Sequence, residues 1–120
     1  KRLGLSDRIA YRFSPEELVP AAGQGILAIQ IRAGEYADLL ARLNSPDGAL
    51  CAKTERQLAS LLGGDCSAPV GCHAQLHGTD MTLYGFSGIG GVPRYGSVQG
   101  NRNDADLLVQ QLASKLTITE

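Results

Sequence analysis

The chain has no tryptophan, and its aromatic residues make up only 5% of 120 positions. A surface built to stack on nucleic-acid bases needs more rings than that. Charge of one sign is also missing. Eleven Lys and Arg face 12 Asp and Glu, for a net charge of -1. That balance supplies neither a basic stripe for nucleic acid nor a polyanionic tail. No apolar run approaches the ~20 residues that cross a bilayer as a helix. Cysteine is scarce, with only Cys51, Cys66 and Cys72. An odd number without a secretory signature leads to the expectation of reduced thiols in a cytoplasmic setting. The opening Lys1-Arg2-Leu3-Gly4-Leu5 lacks methionine and reads as the end of a helix with Gly4 at its C-cap. The chain is therefore expected to be the C-terminal part of something longer.

What is present divides into two kinds of sequence. Residues 6–13 alternate apolar and polar, as a short strand does. Pro15 and Pro20 bracket a loop, and Ala21-Ala22-Gly23-Gln24-Gly25 is a small-residue turn. The run Ile26-Leu27-Ala28-Ile29-Gln30-Ile31-Arg32 reads as a strand covered on both faces, as in an α/β sheet. Residues 35–43 read as a helix, with Leu39, Leu40 and Leu43 at helical spacing. The second kind begins at Asn44-Ser45-Pro46-Asp47-Gly48. Ser45 can cap a helix whose first position is Pro46. That helix is expected to run to about Leu62, with Leu50, Thr54, Leu58 and Leu61 on its buried stripe. Lys53, Glu55 and Arg56 fall largely off that stripe, and Glu55-Arg56 reads as a solvated face. Strands are expected over 70–77, 81–86 and 94–98, then a closing helix with Leu107, Leu108, Leu112 and Leu116. The order α-β-β-β-α predicts an α+β fold. It is a small three-stranded antiparallel sheet with helices on one face, preceded by a fragment of an α/β unit.

The candidate for chemistry is Cys66, in Gly63-Gly64-Asp65-Cys66-Ser67-Ala68-Pro69. A thiol where the backbone turns faces a cleft or solvent rather than a core. As a thiolate it would be a nucleophile. The end of a helix does not lower a thiol pKa, and the neighbouring Asp65 opposes ionisation, so activation has to come from elsewhere. The plainer reading is a turn cysteine with no role.

Metal binding is the next candidate, since Cys66, Cys72, His73 and His77 lie close in sequence, with Cys51 not far off. On a strand, Cys72 and His73 point to opposite faces. His73 and His77 share a face but sit ~13 Å apart, too far for one ion. Cys72 fits better in the core beside Val70, Ala74 and Leu76, and no metal is expected. Gly23-Gln24-Gly25 and the cluster Gly88-Ile89-Gly90-Gly91 lack phosphate-loop spacing and read as turns.

The ordered set of segments resembles the porphobilinogen deaminase (hydroxymethylbilane synthase) family over nearly all of the chain. Pro20-Ala21-Ala22-Gly23-Gln24-Gly25 looks like that family's Pro-Ala-x-Gly-Gln-Gly turn. Leu43-Asn44 and Thr54-Glu55-Arg56 are similar to its Leu-Asn and Glu-Arg elements. Gly64-Asp65-Cys66-Ser67-Ala68-Pro69-Val70-Gly71 resembles its cofactor-attachment loop. Asp65 departs from the glycine or other small residue usual before the cysteine, and the linker around Gly34-Glu35 is short.

By this resemblance Cys66 carries a dipyrromethane cofactor through a thioether, and Gln24, at a domain crossover and facing the active-site cleft, is a second cofactor-binding candidate. The implied enzyme is a cytoplasmic transferase of tetrapyrrole (haem) biosynthesis. It joins four porphobilinogen units into hydroxymethylbilane with release of ammonia. Residues 1–24 would end domain 2, 25–44 would be a strand and helix belonging to domain 1, and 45–120 would form domain 3. The catalytic residues would lie in upstream domains of the same, monomeric protein, leaving the chain alone inactive. No nucleic acid or membrane partner is implied. The rival from another class is a small α+β binding module with a redox- or metal-responsive thiol. A third reading is a structural domain that tolerates serine at Cys66.

Overall fold

The computed structural model of the chain describes residues 2–63 and 67–117. Helix α1 spans Ala37–Leu43, α2 Pro46–Leu61 and α3 Ala105–Leu116. Strands β1 (Val70–His77), β2 (Asp80–Ser87) and β3 (Arg94–Asn101) form one sheet in the order β1-β2-β3, antiparallel throughout. The expected α+β meander is there, with β3 running further than residue 98.

Each element has a local cause. The Ser45 hydroxyl accepts the Gly48 N–H at 3.1 Å, and Pro46 takes the first helical position, where its missing N–H costs nothing. In β2, Met81, Leu83 and Gly85 alternate with Thr82, Tyr84 and Phe86, so one side is buried and the other half-open. Helices α2 and α3 both pack on the buried side, α2 mainly over β1 and α3 over β2 and β3. Gly85 lets α3 lie close: a Cβ there would stand 2.5 Å from a Leu116 methyl and 3.0 Å from one of Leu112. The core is Leu58, Leu62, Cys72, Ala74, Met81 and Leu83 from α2 and the sheet, closed by Leu108, Val109, Leu112 and Leu116 from α3.

Residues 2–3 form a turn, and Gly4 has the positive φ of 68° that a helix C-cap uses. Three expectations are corrected. Residues 6–13 are not a strand: Ser6–Arg8 is a 3-10 turn, and residues 9–13 join no regular pairing among the described residues. Residues 26–32 run without a ladder partner there, leaving Leu27 94% and Ile29 58% exposed. A strand needs a neighbour for its backbone groups, and the described sheet has only three members. On α2 the buried row continues by steps of four from Thr54 and Leu58 to Leu62, turning Leu61 outward, and Glu55 is buried at 2% exposure. Leu107 is likewise exposed on α3.

Candidate functional site

The site is built around the loop that joins α2 to β1. α2 ends at Leu61, and β1 starts at Val70. Cys66, the predicted anchor, lies outside the described residues, as do Gly64 and Asp65. The loop's two described flanks are exposed at Gly63 and Ser67. Its exit is fixed by the main chain. Val70 donates to the Ala68 carbonyl at 2.9 Å, and Gly88, from the β2–β3 connection, donates to the Pro69 carbonyl at 2.8 Å.

The other two thiols are unsuited to nucleophilic work. Cys72 faces the core, fully buried. Burial first, and the Glu55 charge second, push its pKa up to about 12. Cys51, half-buried on α2, is also raised, by burial and then by Glu55 and Asp47. A protonated thiol is neither a good nucleophile nor a metal ligand. Among the described residues no three His, Cys, Asp or Glu side chains converge on one point as metal ligands would.

Glu55, picked out by the resemblance but read by helical spacing as part of a solvated face, is buried at 2% exposure. Its Oε1 accepts the Gly23 N–H at 2.7 Å and its Oε2 accepts the Ala74 N–H at 2.9 Å. His73 Nδ1 stands 3.8 Å from Oε2, and its ring lies over Tyr84 with centroids 6.4 Å apart. Two N–H groups on the free edge of β1 are thereby used. Ala74 is held by Glu55, while Cys72 N–H donates to the Pro20 carbonyl at 2.8 Å. Groups used in this way leave less of the edge as a template for another strand. Gly71 makes the approach possible, since a Cβ on it would stand 2.6 Å from the Val19 carbonyl oxygen. A signal for Glu55 was present, because Cys51, Glu55, Leu58 and Leu62 also repeat at helical spacing. A carboxylate in such a row is ordinarily a surface residue.

Gln24 sits in the turn that Glu55 holds. The turn is closed by Gln24 N–H to the Ala21 carbonyl and Ile26 N–H to the Gly23 carbonyl, each at 3.1 Å. The Gln24 Oε1 folds back to accept the Ala21 N–H at 3.0 Å, and the residue is exposed. Its side-chain amide nitrogen is the end that points away from that bond. The structure therefore joins three pieces: the middle of α2 at Glu55, the middle of β1 at Cys72 and Ala74, and the turn bearing Gln24. An apolar hollow of about 730 Å³ borders this turn at Gly25 and runs between residues 25–29, α1 and the first part of α2. No helix among the described residues is long and apolar enough to cross a membrane.

Two family models match the chain. One, described as porphobilinogen deaminase, C-terminal domain, matches residues 49–117. The other, described as porphobilinogen deaminase, dipyromethane cofactor binding domain, matches residues 1–39. The porphobilinogen deaminase of Thiobacillus denitrificans is 42% identical over 120 residues, which is 97% of this chain and 39% of that protein. That of Chromobacterium violaceum is 44% identical with the same coverage. That of Ruminiclostridium josui is 37% identical over 118 residues, 97% of this chain and 40% of the relative. The chain thus spans about two-fifths of the length of these relatives. The C-terminal-domain model takes in most of α2, the loop and the whole meander through α3, and on that match the chain belongs to the porphobilinogen deaminase family.

Proposed function

We propose that this chain is the cofactor-bearing C-terminal portion of a hydroxymethylbilane synthase, with Cys66 as the anchor. The observation that carries the proposal is the state of the other thiols: Cys72 is buried, Cys51 is half-buried, and burial raises the pKa of both. That leaves the cysteine of the glycine loop, whose described flanks are exposed. The donor chemistry fits a dipyrromethane. Its attachment calls for one accessible soft sulfur, and the joint at Glu55 gives the loop fixed ends. When bound, the dipyrromethane supplies the terminal pyrrole carbon on which the tetrapyrrole grows.

The residues of this chain bind and position. The Cys66 sulfur forms one C–S bond at an aminomethyl carbon as the C–N bond breaks; the amine leaves as ammonia, taking up the thiol proton. A glycine-containing loop between α2 and β1 suits a lengthening chain that has to move past a fixed catalytic centre. Gln24, in the segment matched by the model described as cofactor binding, presents an amide N–H₂ for a carboxylate side chain of the substrate. We assign residues 1–24 to the end of domain 2, 25–44 to domain 1 and 45–120 to domain 3. The exposed Leu27 and Ile29 support this division, because a sheet in the remainder of the protein would cover them. The parent protein would work in the cytoplasm as a monomer, on porphobilinogen, with its catalytic residues upstream.

The test is the intact mass of the full-length protein, wild type and Cys66→Ser, with a colour reaction for pyrroles. The wild type should carry the mass of two linked pyrrole units, and the variant should not. An unmodified wild type from cells that make porphobilinogen would overturn the proposal. The chain alone, given porphobilinogen, should form no tetrapyrrole.

A further inference from the structure

We propose that Glu55 is a positioning residue, which sets the place of the Gln24 turn relative to the two ends of the Cys66 loop. The inference rests on the proposed roles of Cys66 and Gln24. Its basis is that one buried carboxylate serves three segments at once. Glu55 is on the helix that leads into the loop. Its Oε2 holds Ala74, 19 residues on, in the strand that leads out. Its Oε1 holds Gly23, 32 residues back, in the turn beside Gln24. The bond to Ala74 ties together the two elements that flank the loop, six residues before α2 ends and four after β1 begins, and the bond to Gly23 carries the turn to that tie.

The chemistry of the side chain matters. A carboxylate accepts on both oxygens, whereas a carboxamide accepts on one and presents N–H₂ at the other. Glutamine at this place would keep the size and lose one of the two bonds, setting donor against donor. Charge-assisted bonds to main-chain N–H groups are about twice as strong as neutral ones. The second tether, Cys72 N–H to the Pro20 carbonyl, lies alongside and depends on Gly71 leaving room for residues 19 and 20. Ala22 and Gly23 of the turn are half-buried, Ala22 against the core, and these bonds add to that packing in fixing the turn.

The experiment compares full-length wild type with Glu55→Gln by residue-resolved amide hydrogen exchange and by steady-state kinetics, with turnover counted per folded, cofactor-loaded molecule. The Gly23 and Ala74 amides should exchange roughly tenfold faster in the variant. kcat should fall roughly tenfold while KM stays within about twofold, the pattern of misplaced groups rather than lost binding. A merely stabilising role would lower the melting temperature and leave the kcat of loaded molecules unchanged, which would overturn the proposal. A Gly23 amide that exchanges freely in the wild type would overturn it as well, even if Glu55→Gln did not fold. Gly71→Ala, which pushes the turn away without touching Glu55, should reproduce both signatures; wild-type kcat with a loosened turn would count against the proposal. A wild type lacking the pyrrole mass would overturn the reading of Cys66 instead, and Gly23 exchange would then decide the clamp by itself.

Discussion

Residues 2–44 and 45–117 have similarly apolar stretches but use them differently. In the first region no residue is buried, and Leu27, Ile29, Leu39 and Leu43 all stand largely in solvent. In the second, leucines from two helices and a three-stranded sheet close on one another, with Leu58, Leu83 and Leu112 at 0% exposure. The difference lies in partners rather than composition. A meander carries its own neighbours in adjacent sequence, and α2 and α3 flank it closely enough to cover it. The stretch 26–32 has no such neighbour at hand. Hydrophobic pattern states that a face wants covering, and only topology states by what.

The contrast can be broken by substitution. Leu58→Ala should cost this chain about 2–5 kcal/mol in chemical denaturation, because it opens a cavity where α2 meets the sheet. Gly85→Ala should cost about 1–3 kcal/mol, since its methyl must displace Leu116 and Leu112; a neutral result would mean that α3 does not sit against the sheet.

Cys72 sharpens the comparison through pH. The folded protein keeps its proton up to about 12, whereas the unfolded chain releases it near the ordinary 9.0. The unfolded state then binds fewer protons than the folded one, so this contribution is whole below pH 9 and is lost as pH rises toward 12. Between these limits the wild type should lose about 1.4 kcal/mol per pH unit more than Cys72→Ala. Equal slopes would place the thiol in water.

The smallest effect belongs to the first region. Leu27→Ala should change the stability of this chain by under about 0.5 kcal/mol. In the full-length protein the same change should cost about 2 kcal/mol or more if a sheet covers that face. Equal small effects in both would sink the assignment of residues 25–44 to a neighbouring domain.

Legibility in the sequence divides the same way. Ser45-Pro46 announces a capped helix because cap chemistry is local, and the pattern through 70–77 and 81–86 announces strands that find each other across short turns. The thiol of Cys72 was legible as core for the same reason. Glu55 was not, because its worth depends on two N–H groups distant in sequence, and a carboxylate next to an arginine reads as surface until those donors are placed. The loop cysteine was recognisable by the company of glycines around it, which is a matter of family pattern more than of physics.

The clamp also orders events in time. The hairpins of the meander close over short distances, while the bond from Gly23 to Glu55 spans 32 residues and carries a larger loop-closure entropy cost. Contacts of that kind form late in folding. On a ribosome the turn is made before either of its anchors exists. It has to wait, undocked, until α2 has wound and β1 has paired, so docking of the turn becomes a signal that the meander behind it has been assembled.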